Sequence, residues 1–592
     1  MSEAEVKAPA VQRTPSITDE GKRIRNAWEE AQELRRPFEA GWQMVADYFY
    51  PSANFTVSSS TPVFRRNRRV VTNTPRQALK QAAALFVAYA IDTTQPFLAP
   101  NVNRGMALSG RARWGKGPDG RELALSDASR DYLDDLRWQL FDAQMAPQSG
   151  MVTAVARCGL EFLAFGNCVR WVGRKRGFGP RHQHRPLRSC WWAVNEDGEI
   201  DTLFFAWTLP VWRLKTAYPE ALAHPKIAKL AEDPKKARET VRLLHLVEPR
   251  QGGIRGAVSS QKPFASLTLL PDHDMFEVKA EGYDSFPYQV ARMDLWEGSP
   301  YATGLGFDAL PDAMALNHFS GGLERAIDLI NDPVLFAPTR LFGNRLDRRP
   351  GQVNVYDPVN LGFQSLRDAI QKADIAGDPS WAERRCAALT ANVEKVFFGT
   401  FINLRDASNV TAEEIRERRD LRQRAMSYLV PSFDRDLFGK GADRELEALL
   451  EEDLVPAPPA ELSGLDVDWD YAGPLAKAQM LTQVDGALRL FDAAAMAKQF
   501  DESAGDVVAV HEALRTINDS LGNAPGMVNS RAAVAEMRAQ RAEAEAQARE
   551  NEAMTAQATA LRDAGQGLAS IENAGQPAMA ALGRQQPRRR RP

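Results

Sequence analysis

Glycine-rich segments are the first candidates for chemistry, because the backbone N–H groups of such loops can bind phosphates. Lys116 lies in the sequence GKGPDG, but a phosphate-binding P-loop needs Ser or Thr directly after the lysine, where this chain has Gly117. A second glycine-rich segment, residues 298–306, contains no lysine. The sequence therefore does not predict a nucleotide-binding site.

Two groups of residues have side chains that can ligate metals. His182, His184 and Cys190 have no fourth ligand at a standard zinc spacing, and the arginines around them disfavour a cation. Residues 272–274, Asp-His-Asp, are types with which nucleases hold metal ions. The alternative is a turn after Pro271 between two strands, which we prefer. We expect no metal site.

Nucleophilic catalysis has no recognisable motif either. The chain lacks a GxSxG sequence, and its seven histidines are scattered. We therefore predict no catalytic residue and no cofactor, and this absence favours a mechanical role over an enzyme.

Three arginine clusters are candidates for contact with phosphates. They are Arg65, Arg66, Arg68 and Arg69; Arg340, Arg345, Arg348 and Arg349; and Arg588, Arg589, Arg590 and Arg591. The alternatives are a solvated or inter-subunit loop for the first cluster, salt bridges within the fold for the second and a solvated tail for the third.

Length and composition bound the class of protein. A chain of 592 residues exceeds what one hydrophobic core usually supports, so two or more packed regions are expected. With 44% hydrophobic and 26% charged residues, the composition is that of an ordinary soluble protein. The net charge of −3 argues against tight, sequence-independent DNA binding, which usually requires a marked basic excess.

Cysteine usage and hydropathy point to an intracellular protein. Cys158, Cys168, Cys190 and Cys386 show no CxxC pair, so reduced, buried thiols are expected. The most apolar run, residues 82–91, is far shorter than the ~20 residues that span a bilayer. The N-terminus carries no signal-peptide pattern, and we expect no membrane contact.

The middle of the chain has an unusual order of elements. Five apolar residues recur at helical spacing and predict a helix: Leu316, Phe319, Leu323, Ile327 and Ile330. The helix is expected to end at residues 331–333, Asn-Asp-Pro, because proline cannot donate a backbone hydrogen bond. Residues 334–378 lose this period and contain the strand-like fragments 334–336 and 353–356, so a small β-containing insertion is expected.

A second helix follows the insertion. It begins near Pro379, with Asp378 or Ser380 as the cap and Glu383 three residues after Ser380, and Gly399 can end it in a left-handed conformation. Its apolar positions are Trp381, Leu389, Val393, Val396 and Phe397. A polar loop, residues 399–409, then leads to a long polar helix capped by Thr411 and Glu414.

Elements before and after this centre follow from periodicity and turn residues. Helices are predicted for residues 18–50, interrupted or kinked at Pro37, for 75–91, for a segment capped by Ser126, and for a segment that becomes a strand at Gly166. A hairpin is predicted for 191–209, short helices for 215–230, and strands for 241–247, 266–270, 276–281 and 467–471. A proline-rich connector, PAPPAEL, follows residue 455, and residues 474–564 are nearly all helix formers, broken at 522–526.

The order helix, small β insertion, helix, loop and long helix resembles the head-to-tail connecting, or portal, proteins of short-tailed bacteriophages. Local motifs agree with the family pattern: Gly282-Tyr283, Phe286-Pro287, Arg292, residues 301–306, ALPDAMALN, Asp332-Pro333, TAEEI from Thr411, and PLAKAQ from Pro474. One departure is Ala302, where the family usually has glycine, so we expect that turn to differ.

The resemblance implies a mixed, mainly α fold with a β-containing wing and clip. The implied divisions are N-terminal helices and wing 1–303, first stem helix 304–331, clip 332–378, second stem helix 379–398, tunnel loop 399–409, wing helix and return 410–474, helical crown or barrel 475–564, and a disordered basic tail 565–592.

The resemblance also implies the function and the partners. Such proteins form rings, usually twelve-fold, at one capsid vertex of the virion, assembled in the host cytoplasm. Double-stranded DNA passes through non-specifically, and a near-neutral chain suits sliding. The implied partners are the terminase large subunit, tail adaptor or head-completion proteins, and the major capsid and scaffolding proteins.

The resemblance places two sets of residues near DNA or its motor. Asn403, Arg405 and Asn409 of the tunnel loop would approach the duplex, and the arginines at 340–349 would meet the motor or passing phosphates. Two other classes remain as alternatives. A DNA-processing enzyme would show nuclease or ATPase activity, and a coiled-coil scaffolding or adaptor protein would explain the C-terminal helices but not the preceding mixed structure.

Overall fold

The structure is a computed structural model of the whole chain, and its described residues combine helices with several small sheets. It describes residues 17–55, 70–102, 125–256, 258–338, 349, 352–356, 371–372, 379–398, 429–465, 467–471, 486, 488–496, 510–521, 528–529 and 531–580. Within these ranges no helix is both long enough and apolar enough to cross a membrane. The predicted mixed fold is confirmed at this level.

The helices of the described residues differ widely in length. They are α1 (Asp19–Phe49), α2 (Thr74–Ala90), α3 (Asp127–Met145), α4 (Met151–Phe165), α5 (Val211–Ala217), α6 (Pro225–Glu232), α7 (Leu305–Asn331), α8 (Pro379–Val396), α9 (Leu429–Asp434), α10 (Lys440–Leu450), α11 (Val510–Leu521) and α12 (Arg531–Ala580). A π-helical turn over Arg435–Gly439 joins α9 to α10.

The strands of the described residues are mostly short. They are β1 (Leu98–Asn101), β2 (Asn167–Lys175), β3 (Gly179–Arg185), β4 (Cys190–Val194), β5 (Ile200–Pro210), β6 (Thr240–Pro249), β7 (Phe264–Leu270), β8 (Phe276–Tyr283), β9 (Tyr288–Arg292), β10 (Asp294–Leu295), β11 (Ala302–Thr303), β12 (Leu335–Pro338), β13 (Val353–Tyr356), β14 (Gln371–Lys372) and β15 (Asp468–Tyr471).

The chain divides into two units. One comprises residues 1–123 and 132–522, and the other comprises residues 124–131 and 523–592. The second unit contains the long helix α12, which runs to Ala580 and so extends beyond residue 564, where the sequence predicts the helical region to end. Its composition of Ala, Glu, Gln and Arg favours helix strongly enough to tolerate Gly565 and Gly567, each of which costs about 1 kcal/mol.

Helix α1 opens the first unit and passes through its proline without a break. Thr18 caps it, since its side-chain oxygen accepts a hydrogen bond from the Gly21 N–H at 3.0 Å. Of the two predicted alternatives at Pro37, the interruption is wrong, because tertiary contacts hold the helix on both sides of the missing N–H, and the kink stays a prediction. Before the proline, buried Arg35 donates to the main-chain oxygen of Cys190 at 2.7 Å, and beyond it Trp42 is fully buried.

A five-stranded antiparallel sheet, in the order β4-β5-β6-β7-β8, forms the largest sheet of the described residues. The N-terminal half of α1 covers one face, where Ile24, Trp28 and Ala31 pack against Phe204 and Leu244. The predicted hairpin is β4 and β5, and the three predicted strands that follow are β6, β7 and β8. The predicted short helices are α5, α6 and a 3-10 turn between them.

The main core lies around α4 and the three-stranded sheet β3-β2-β9. Phe86 of α2, Phe162 of α4 and Phe433 of α9 meet there, with ring centroids 4.9–5.6 Å apart. Strand β15, predicted at the end of the proline-rich connector, pairs antiparallel with β1. The core thus joins segments more than 300 residues apart in the sequence.

Candidate assembly site: the helix pair

The site begins at the junction between α4 and β2, where the sequence predicts a change of period. Gly166 has φ +78°, and a Cβ atom there would lie 2.2 Å from the carbonyl carbon of Thr303. The Asn167 side-chain amide brackets Ala302, donating to its carbonyl oxygen at 2.6 Å and accepting from its N–H at 3.0 Å. Only glycine fits at position 166, because any side chain there would clash with Thr303. The close approach and the two hydrogen bonds of Asn167 fix the backbone directly before α7 to the core.

Helix α7 ends near Asn331, as predicted, and α8 lies alongside it. Phe319 of α7 and Trp381 of α8 form an edge-to-face pair with ring centroids 5.9 Å apart. At the other end of α8, Leu389, Val393 and Phe397 are fully buried. We call α7 and α8 together the helix pair, since each helix is anchored to the core at one end.

The end of α8 differs in detail from the prediction. Phe398 adopts the left-handed conformation, with φ 60°, and Gly399 lies outside the described residues. A bulky residue rarely adopts this conformation. Phe398 is 8% exposed, and the ring of Phe397 beside it packs at a tilt against Phe49 of α1, with centroids 5.3 Å apart, so packing offsets the local strain.

Burial decreases along the helix pair away from the core. In α7, residues 305–316 include six buried positions, whereas residues 317–331 include none. Ile327 is 43% exposed, Ile330 is 51% exposed, and Trp381 of α8 is 58% exposed. The apolar stripe predicted from the sequence therefore exists, but none of the residues that the structure describes covers its distal half fully.

The small β insertion forms a three-stranded sheet. Strand β12 pairs in parallel with β13 and antiparallel with β14, so β12 is the central strand. Both strand-like fragments of the sequence lie in it, and their strands are confirmed.

A buried ion pair holds the segment that returns to the core after residue 428. Arg170 of β2 lies 3.1 Å from Glu445 of α10, and both side chains are fully buried. The Arg170 guanidinium also donates to the Leu437 carbonyl oxygen in the π-helical turn, and the Gln144 amide donates to Glu445. Sequence reasoning missed this cluster, and its one signal was an arginine inside the otherwise apolar strand NCVRWV.

The two histidines considered as metal ligands have separate partners. His182 lies 3.7 Å from Glu445, and burial, reinforced by the Arg170 guanidinium, lowers its pKa well below the usual value. His184 lies 3.0 Å from Glu161. Burial opposes charge on His184, but the Glu161 carboxylate outweighs it and raises the pKa of His184 to about 9. Among the described residues, no group of three or more His, Cys, Asp or Glu side chains has the geometry to hold a metal ion.

The Asp-His-Asp sequence forms the predicted turn between two strands. The N–H of His273 donates to the Leu270 carbonyl oxygen at 3.1 Å, and Asp274 and Met275 have φ near +55°. Asp272 is exposed and lies 3.7 Å from Arg242. The preference for a turn is confirmed.

Cysteine burial was predicted correctly at three of four positions. Cys158, Cys168 and Cys190 are buried, whereas Cys386 on α8 is only half-buried. All four are free thiols. Cys386 lies 3.9 Å from the Ser320 hydroxyl of α7, within the helix pair.

Most residues predicted to meet DNA or a motor lie outside the described residues. These are Asn403, Arg405, Asn409, Arg340, Arg345, Arg348, Arg588, Arg589, Arg590 and Arg591, together with Arg65, Arg66, Arg68, Arg69 and the caps Thr411 and Glu414. Arg349 is described, is exposed, and accepts a hydrogen bond at its carbonyl oxygen from the Gln352 N–H at 3.3 Å. Its assignment stays a prediction.

The architecture defines a mixed helix-and-sheet protein whose distinctive feature is a pair of long helices connected through a small sheet. The chain belongs to the family of bacteriophage head to tail connecting proteins, because the model of that family matches residues 21–528. The family recognised from the sequence motifs is thereby confirmed.

Two relatives carry portal names. A probable portal protein of Bordetella phage BPP-1 is 21% identical over 470 residues, which cover 78% of this chain and 80% of that protein. The portal protein of Salmonella phage epsilon15 is 22% identical over 354 residues, which cover 58% of this chain and 62% of that protein. This chain is thus similar to phage portal proteins over most of its length.

Proposed function

We propose that this chain is a portal subunit, which forms a closed ring at one vertex of a phage head and conducts double-stranded DNA during packaging and ejection. The observation that carries the proposal is the helix pair, whose apolar residues Ile327, Ile330 and Trp381 are exposed in the single chain. Exposed apolar patches on otherwise ordinary surfaces mark interaction sites. In a ring, each subunit covers its neighbour through a heterologous contact that closes.

In this proposal the parts of the chain take the roles that the family resemblance implies. Residues 304–331 and 379–398 are stem helices, 332–378 are the clip, and 399–409 are the tunnel loop. Residues 1–303 and 410–474 form the wing, 475–564 form the crown or barrel, and 565–592 form a basic tail whose first part, as far as Ala580, is the end of helix α12. Charge supports a lining role for α7, which carries four acidic side chains and one basic side chain. Such a surface repels phosphates and so favours sliding over retention.

The basic residues act at defined points of the conduit. Arg405, with Asn403 and Asn409, approaches the duplex at the narrowest point. The clip docks the terminase large subunit during packaging and the tail adaptor or head-completion protein afterwards. The major capsid and scaffolding proteins surround the ring, and the arginines at 588–591 touch packaged DNA.

Electron microscopy of the purified full-length protein tests ring formation. Annular particles with a central hole are the expected result, because about twelve identical subunits would form a closed ring. Uniform monomers or open filaments under all assembly conditions would contradict the proposal.

A substitution tests the clip separately from the ring. The clip contains four arginines: Arg340, Arg345, Arg348 and Arg349. Replacement of all four by glutamine is expected to lower DNA packaging while rings still assemble. The measurement is protection of packaged DNA from nuclease in a reconstituted system with heads and motor. Undiminished packaging by intact variant rings would remove this assignment but leave the ring itself standing.

A further inference from the structure

A cleft with an unusual lining lies between the N-terminal half of α1 and the β4-β5-β6 edge of the large sheet. Its volume is about 920 Å³, within the ~300–1,000 Å³ range typical of ligand pockets. Three indoles and three guanidinium groups line it: Trp28, Trp191, Trp207, Arg157, Arg188 and Arg242. We call it the tryptophan cleft.

The charge of the tryptophan cleft is positive. Arg157 and Arg188 are exposed and form no ion pair with any residue that the structure describes, while Arg242 faces Asp272 at 3.7 Å. The Glu161 carboxylate in the cleft is already engaged by His184 and by the Leu187 N–H at 3.1 Å. An occupant of this cleft should therefore be acidic and able to pack against indole rings.

The chain itself carries a segment of that chemistry. Residues 455–462, which we call the proline arch, contain the PxxP sequence Pro456-Ala-Pro-Pro459. Val455 and Leu462 are buried and hold the two ends, whereas residues 456–458 between them are exposed. Proline-rich segments of this kind are pre-ordered in an extended conformation and dock into aromatic-lined grooves.

Acidic residues flank the proline arch. Residues 451–453 and 461 are Glu, Glu, Asp and Glu, and no basic residue lies among residues 445–473. Glu451 and Glu452 already form ion pairs with Arg174 of the same chain, and Glu451 also lies near Lys262 and Arg444. Asp453, directly before the arch, is exposed and supplies the acidic charge beside it. The arch thus matches the tryptophan cleft in both charge and apolar character.

The arch of one chain does not occupy the cleft of the same chain. The two surfaces lie at opposite ends of β3: Leu454, next to the arch, contacts Gly179, whereas His184 lines the cleft. At about 3.3 Å per residue these points are roughly 17 Å apart. No residue of the arch lines the cleft.

We propose that the tryptophan cleft binds the proline arch of a second copy of this chain. The contact joins two different surfaces, so it repeats head to tail and closes when the copies form a ring. This inference rests on the proposed ring and adds to the helix pair a second, outer contact between neighbouring subunits.

Cysteine cross-linking tests the contact in the full-length protein. Thr208→Cys places a thiol at the cleft without removing one of its arginines, and Ala457→Cys places one on the arch, both at exposed positions. The background is Cys386→Ser, because the other three native cysteines are buried. A short bis-maleimide is expected to convert rings of the double variant into a ladder of covalent dimers and larger species in a denaturing gel.

A matched control combines Ala457→Cys with Asp197→Cys, which is exposed at the tip of the β4-β5 hairpin and does not line the cleft. It should remain monomeric in the gel. Rings that yield only monomer bands from the cleft variant would overturn the docking while leaving the proposed function intact. A linkage within one chain would also overturn it, and monomer bands without any rings would overturn both.

Discussion

Replacement of the three exposed apolar residues of the helix pair by glutamine should weaken ring assembly strongly while the chain stays folded. The residues are Ile327, Ile330 and Trp381, which are 43%, 51% and 58% exposed. They lie on the part of α7 and α8 that the described residues leave largely uncovered. A neighbouring subunit that supplies this cover would lose it in the variant.

The expected loss follows from the area that a neighbour would bury. Complete burial of such a side chain contributes about 1.5–3 kcal/mol, so covering the exposed half contributes about 1 kcal/mol per residue. All three together contribute roughly 3 kcal/mol to each contact between subunits, which corresponds to about a hundredfold in its association constant. In the isolated chain, replacement of Ile327 or Ile330 should change the free energy of unfolding by less than about 0.5 kcal/mol, whereas Trp381→Gln should cost about 1 kcal/mol because it removes the edge-to-face contact with Phe319.

Sedimentation velocity over a range of concentrations measures the assembly, and urea denaturation measures the free energy of unfolding. A matched control replaces three apolar residues elsewhere that are at least as exposed on average: Trp212, Ile254 and Val258, which are 53%, 61% and 67% exposed. If the helix-pair variant assembles at the same concentration as the unmodified chain, these three residues do not form the contact between subunits. If the control variant assembles as poorly as the helix-pair variant, the effect is not specific to the helix pair, and the proposed contact is again contradicted.

Three further predictions concern the core that positions the helix pair. Gly166→Ala should lower the free energy of unfolding by about 3 kcal/mol or more, because the strain of a positive φ and a backbone clash add. The control, Gly198→Ala, is also at positive φ but has open space around it, so it should cost only about 1 kcal/mol. Equal costs for the two variants would contradict the clash. Glu445→Ala should cost about 3–5 kcal/mol in urea denaturation, because it leaves the Arg170 charge buried without its partner, and a cost below about 1 kcal/mol would contradict the buried pair. The pKa of His184 is raised to about 9, so its ion pair stabilises the fold fully below about pH 6.5 and loses this effect as the pH rises through about 9. The stability difference between the unmodified chain and His184→Gln should therefore shrink between pH 6 and pH 9.5, and a constant difference would argue against the ion pair.

Most helices, strands and turns could be predicted, because each depends on residue types that lie within a few positions of one another. The change from helix to strand at Gly166, the turn at residues 272–274 and the end of α7 before Pro333 all depend on short-range backbone preferences. The contact between Gly166 and Thr303 does not, since it joins segments 137 residues apart. The sequence contained both halves of this contact but no sign that they meet.

Burial was harder to predict than secondary structure. Apolar spacing identified Leu316 and Ile330 as one stripe, yet the first is 2% exposed and the second is 51% exposed. Periodicity defines a face of a helix, whereas tertiary or quaternary neighbours decide whether that face is covered. The ion pair between Arg170 and Glu445 was missed for the same reason, because its partners are 275 residues apart.

The most direct test of the portal assignment is a cryo-electron microscopy map of the assembled protein. We expect a closed ring in which Leu305–Asn331 and Pro379–Val396 of every subunit border the central hole. A ring with these helices on its outer rim, or a protein that stays a compact monomer, would contradict it.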